Sequence, residues 1–210
     1  VLPEFKLPKE AFVNKLVAKS KFYDKADLSR KIQDEFAEKI NKIYCQYVLA
    51  ERTIGIAKTD KITEIVVFQI ELKEQVIPKK LIKIIDATIP YPILYCFVHA
   101  DHFAYGIALK ENTAVTNYYF SEWDEELQFD FTGIDLEKVY QKLVKAFIRR
   151  IAPDKGSFED IVGTDNQIRL LENEITALER KISAEKQFNR KVEINKVLLS
   201  KKERRCNGKA

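Results

Sequence analysis

Ile65-Val-Val-Phe-Gln-Ile-Glu-Leu-Lys73 is almost continuously apolar until Glu71-Leu-Lys73 closes it. A run of that length and content predicts a central strand covered on both faces. Around it, between Leu28 and His99, the pattern predicts helix, strand, strand, strand, helix, strand. The expected fold class is α/β, a mixed central sheet with flanking helices.

Upstream, Phe12, Val13, Leu16 and Val17 fall at helical spacing after Pro8, which predicts a short amphipathic helix over 9–18. A second helix is expected from Asp27 or Ser29, with Ile32, Phe36 and Ile40 on one face. Ile43, Cys45, Tyr47 and Leu49 then occur at every second position, the period of a strand with one face better buried. A brief strand over 53–57 and a polar turn over 58–61 complete the approach to the central run.

Downstream, Pro78 sits at a helix start and Pro90 after its end. Strands are expected over 91–98 and 103–109, with edge strands over 115–120 and 127–131. Asp135 reads as the N-cap of a helix over 136–151 with Leu136, Val139, Tyr140, Leu143 and Phe147 in one stripe. The predicted organisation is a globular domain over 1–154, a linker over 155–164, a long helix over 165–205 and a tail over 206–210.

That last helix carries Ile168, Leu171, Ile175, Leu178 and Ile182 at the alternating spacing of a coiled-coil seam, with no Gly or Pro from Asp165 to Arg205. Unbroken, it would be about 60 Å long at 1.5 Å per residue. An in-register parallel pair would set Glu174 against Glu179 and Lys181 against Lys186 of its partner, so an antiparallel pair or a different partner is electrostatically better. After Ile182 the seam blurs, and the second half is free to pack elsewhere.

The chain has 210 residues, 46% of them hydrophobic, enough for one well-buried domain plus an appendage. No apolar run approaches the ~20 residues of a membrane span, and no signal sequence is evident, so a soluble cytoplasmic protein is expected. Three cysteines, Cys45, Cys96 and Cys206, lack paired spacing, which argues against a disulfide framework and a structural zinc site. The net charge of +4 is spread over a mixed surface and is not by itself a nucleic-acid footprint. Locally, Lys201, Lys202, Arg204 and Arg205 form a basic cluster suited to a nucleic-acid or partner contact, or to a solvated helix end.

Glu71 and Lys73, two apart on a strand, point to one side. An acidic-x-Lys tripeptide closing such a strand, in this strand order, is how PD-(D/E)xK nuclease cores of the restriction-endonuclease type are laid out. In that chemistry two carboxylates hold Mg2+ and the lysine positions the attacking water. Such tripeptides also arise by chance, and the expected second strand, Thr53-Ile-Gly-Ile-Ala57, offers no carboxylate. His99-Ala-Asp-His102 reads as a turn between strands rather than a zinc motif. Tyr118, Tyr119, Phe120 and Trp123 read as packing, because the acidic residues Glu122, Asp124, Glu125 and Glu126 among them oppose phosphate.

Several phrases together resemble the bacterial domain-of-unknown-function family numbered 4391. They are Phe5-Lys-Leu-Pro8 with Val13-Asn14, Val67-Phe-Gln-Ile-Glu-Leu-Lys73, Ile89-Pro-Tyr-Pro-Ile93 and Glu185-Lys-Gln-Phe-Asn-Arg-Lys-Val-Glu193. The resemblance covers nearly the whole chain and carries no catalytic residues. It implies an accessory role beside helicases and DNA methyltransferases of restriction-like defence systems. The expectation is thus a non-catalytic interaction protein that self-associates or docks on a larger partner through its C-terminal helix, with no cofactor. The alternative is a divergent or decayed nuclease using Glu71, Lys73 and Mg2+.

Overall fold

The computed structural model describes residues 5–111, 114–148 and 156–207. The chain divides into two compact units, Val1–Phe147 and Ile148–Ala210.

The first unit is built on a six-stranded sheet whose spatial order follows the sequence: β1 (Phe12–Leu16), β2 (Ile40–Ala50), β3 (Glu64–Leu72), β4 (Ile93–His99), β5 (His102–Glu111) and β6 (Ala114–Phe120). All neighbours are antiparallel except β3 and β4, which are parallel and joined through helix α4. α4 runs over Lys79–Thr88 and follows α1 (Ser20–Lys25), α2 (Arg30–Lys39) and the short α3 (Glu51–Ile54). The central run is β3, as its apolar continuity predicts.

Alternation along these strands divides the core. Val66, Phe68, Ile70, Tyr95 and Phe97 pack with Phe36 of α2 and with Leu81, Ile82 and Ile85 of α4. Their neighbours Ile65, Val67, Leu94 and Ile107 are buried on the other side, where α5 (Leu136–Lys145) contacts β3 and β5. Asp135 caps α5 by accepting the Lys138 amide at 2.8 Å, as expected of that residue before an apolar stripe.

Four sequence expectations for this unit are corrected. Residues 9–18 form a 3-10 turn, Lys9–Ala11, and then edge strand β1. The open edge of β2 supplies ladder hydrogen bonds, and Asn14 takes φ +45° at a bulge, which no helix interior accepts. Residues 53–57 are not a strand: the Thr53 hydroxyl accepts the Ala50 amide and donates to the Val48 carbonyl, winding α3, and Gly55 ends it at φ +68°. Residues 127–131 alternate in burial but pair with no strand, because Phe129 packs by side chain alone against Phe5, Tyr105 and Phe147. α5 ends at Lys145 rather than Ile151; Ile151 and the expected boundary at Asp154 lie outside the described residues.

The second unit contains α6 (Phe158–Ala184) and α7 (Phe188–Asn207). α6 starts inside the expected linker, where Ser157 and Asp160 form a reciprocal capping box. The single helix expected over 165–205 is broken at 185–187 without Gly or Pro. Glu185 adopts extended backbone, and its Oε1 accepts the amides of Lys186 and Gln187 at 2.8 and 2.9 Å. Those bonds satisfy donors that a helix start would leave orphaned, and they hold the Glu185 carboxyl below its ordinary range, the Gln187 amide most of all.

α6 and α7 then pack as an antiparallel hairpin. Ile168 and Ile175 of the expected seam are buried, and Leu171, Leu178 and Ile182 are half-buried. α6 carries six acidic and three basic residues and α7 seven basic and two acidic. Accordingly Lys201 meets Glu174 at 2.6 Å and Lys202 meets Glu179 at 2.8 Å. Within one chain, α7 thus takes up the charges of Glu174 and Glu179 on α6.

Candidate functional site

β3 and β4 end side by side, the place where open α/β sheets offer a crevice. Glu71 stands opposite Val98 of β4 and opposite Lys42 of β2. Asn41, at the start of β2, donates its amide to Glu71 Oε2 at 3.2 Å. Gln69, two residues back on the Glu71 face, accepts from Gln46 at 2.6 Å. The β4–β5 turn closes the far side with Ala100 at φ +50°. Asn41, Gln69, Glu71, Val98 and Asp101 thus line one cavity of about 510 Å³.

Lys73 lies beyond the strand end, its amide bound to the Lys39 carbonyl at 3.0 Å. The Lys19 ammonium, which donates to the Ile40 carbonyl, is pushed down mainly by burial and then by the charge of Lys73. The cavity wall carries two side-chain amides, Asn41 and Gln69, and two carboxylates, Glu71 and Asp101. Mg2+ prefers an octahedron of hard oxygens anchored by carboxylates, and a neutral amide at Asn41 supplies no charge to it. Among the described residues no group of three or more His, Cys, Asp or Glu could hold a metal ion.

The two histidines flank the β4–β5 turn, as expected, and look to different partners. His99 Nδ1 lies 3.2 Å from the Leu72 carbonyl. His102 Nδ1 lies 2.6 Å from Asp124 Oδ2, while Asp124 Oδ1 accepts the Phe103 amide at 3.1 Å. His102 first, and that amide second, hold the Asp124 carboxyl below its ordinary range.

Tyr118 stacks with Phe120, and Trp123 packs on the core, so the aromatic run serves packing. Cys96 is buried, its thiol pushed up to about 12 by desolvation, and Cys45 is half-buried. At the C-terminus, Lys201 and Lys202 are tied to α6 by the ion pairs above, and Arg204 is exposed.

Asn41 and Asp101 were not read from the sequence as lining residues. Fixing the β2–β3 register would have found Asn41, because the start of β2 must meet the end of β3. The pairing of Asp86 on α4 with Lys110 on β5 also escaped the sequence. Its members are 3.3 Å apart with side chains almost wholly buried.

The Lys110 ammonium also donates to the carbonyls of Ile89 and Tyr91, each at 2.9 Å, at the negative end of α4. Burial raises the Asp86 carboxyl and lowers the Lys110 ammonium, each effect partly offset by the other's charge.

Among the described residues no helix is long and apolar enough to cross a membrane. No curated protein and no solved structure matches the chain. The model of the family described as Domain of unknown function (DUF4391) matches residues 5–204, nearly the full length. The chain belongs to the DUF4391 family.

Proposed function

We propose that this protein is a non-catalytic accessory component of a DNA-processing or restriction-like defence system, built on a restriction-endonuclease-like sheet and associating through its C-terminal helices. The observation that carries this reading is Asn41. A PD-(D/E)xK site needs a second carboxylate beside the one on the central strand, and the residue bonded to Glu71 from the neighbouring strand is an amide. Three antiparallel neighbours, β1 to β3, followed by α4 and a parallel β4, support the nuclease-like layout.

The amides of Asn41 and Gln69 give the cavity hydrogen-bonding groups beside its two carboxylates, and Asn41 takes the place next to Glu71. The α6–α7 hairpin, with the two helices of opposite charge, supplies a surface for a larger partner such as a helicase or methyltransferase. Purification of the tagged protein from its native host tests the reading. A DNA-processing enzyme should co-purify with the full chain and be lost when residues 156–210 are deleted. Recovery of the chain alone would refute it.

One observation favours a second reading, a divergent metal-dependent nuclease: Glu71 shares its cavity with Asp101. The lead reading expects no Mg2+- or Mn2+-dependent DNA cleavage by the purified protein. Cleavage abolished by each of Glu71→Ala, Lys73→Ala and Asp101→Ala, with folding intact, would replace the lead by this alternative.

A further inference from the structure

Two helices packed as a hairpin leave the groove between them open. Near the hairpin tip this groove has a volume of about 910 Å³, with Leu178, Ala184, Ile194 and Val197 as its apolar lining. Val197 is 48% exposed. The same groove is edged by Lys181, Lys186, Arg190, Glu185 and Glu193. Arg190 lies 3.9 Å from Glu185, whose other oxygen is held by two amides. Among the described residues Lys181, Lys186 and Glu193 have no ion-pair partner, leaving two cations against one anion.

We propose that this groove receives an acidic amphipathic helix of a partner protein. The inference rests on the accessory reading and names the chemistry of the partner. From Leu178 to Ala184, and again from Arg190 to Val197, the walls run about 9 to 11 Å at 1.5 Å per residue, close to two helical turns. A helix in such a groove places apolar residues at i, i+3 or i+4, and i+7 on the floor. Carboxylates beside that stripe meet Lys181 and Lys186.

A second copy of this chain is the poorer occupant. Its α7 is strongly basic, and in α6 the carboxylates of Glu174 and Glu179 are already bound to Lys201 and Lys202.

The test uses the full chain and two synthetic helical peptides of about 14 residues, roughly four turns, sharing one leucine stripe flanked by Glu in one and Lys in the other. Fluorescence anisotropy measures binding, and hydrogen exchange locates it. The Glu peptide should bind and protect amides over 178–197. The double variant Lys181→Glu/Lys186→Glu should weaken it about tenfold and prefer the Lys peptide, and Val197→Asp should weaken both.

Unchanged urea midpoints verify that the variants fold. Failure of the Glu peptide to bind, equal binding of both peptides, protection elsewhere, or self-association of the chain through this groove would each overturn the proposal. If the host partner co-purifies undiminished with the double variant, the groove assignment fails and the accessory reading survives. If nothing co-purifies with the unaltered chain, the accessory reading itself fails.

Discussion

Asp86 meets the Tyr95 and Tyr118 hydroxyls as well as Lys110, and an asparagine there keeps an acceptor for them, whereas a methionine keeps nothing for the partners of Lys110. The Lys110 ammonium serves the carbonyls of Ile89 and Tyr91 as well as the carboxylate, so Lys110→Met strands acceptors and a buried charge together. Breaking a buried pair in this way costs about 3–5 kcal/mol. Asp86→Asn leaves the ammonium its carbonyls and should cost clearly less. Urea unfolding of the two variants measures the order, and equal losses would contradict it.

Asp130 makes the contrasting case at the surface. The Lys142 ammonium, then the Thr132 hydroxyl and amide, hold its carboxyl down to about 2. A depressed carboxyl contributes stability that is complete above its unfolded value near 4 and is lost as pH falls through about 2. Lys142→Ala should therefore cost a small amount of stability, as an exposed pair implies, with the loss full at pH 5 and above and vanishing as pH falls toward 2. Circular dichroism across pH 5 to 2 reads this.

At the scale of elements, periodicity was a good guide wherever burial set the pattern. β3, β4 and α5 follow from apolar runs and a cap that need no knowledge of neighbours. It failed where a neighbour or a single polar atom decided: β2's open edge turned Phe12–Leu16 into a strand, and the Thr53 hydroxyl wound α3. The candidate site was half legible for the same reason. Glu71 lies in the central run itself, whereas Asn41 and Asp101 reach it only through pairing and a turn.

Gly106 on β5 is another position fixed by neighbours. A Cβ there would meet Phe120 Cδ1 at 2.8 Å and Phe97 Cε2 at 3.0 Å, so both rings must shift. Gly106→Ala should cost about 1–3 kcal/mol, measurable by urea unfolding, and a neutral substitution would show that the β5–β6 face is loosely packed. In the hairpin, Glu185→Ala removes the acceptor of two amides at the break and should lower the urea midpoint of the chain.

Taken whole, the molecule places the candidate cavity and the helical hairpin in different units. The sheet and its helices hold the Glu71 cavity entirely within Val1–Phe147. That fragment should fold on its own, with a cooperative urea transition and strand-containing circular dichroism. A hairpin fragment over 156–210 should be markedly less cooperative, since two helices bury little between them. An unfolded 1–147 fragment would show that the units are interdependent.

The strand order has a consequence for how the protein is made. Because β1 through β6 lie in space as they lie in sequence, each strand leaving the ribosome finds its template already synthesised and still at the growing edge. No long segment must wait for a distant partner, so loop-closure entropy is met in small instalments. Only the β3-to-β4 crossover interrupts this zippering, and the nascent sheet should pause there, with the apolar edge of β3 uncovered, until α4 and β4 emerge.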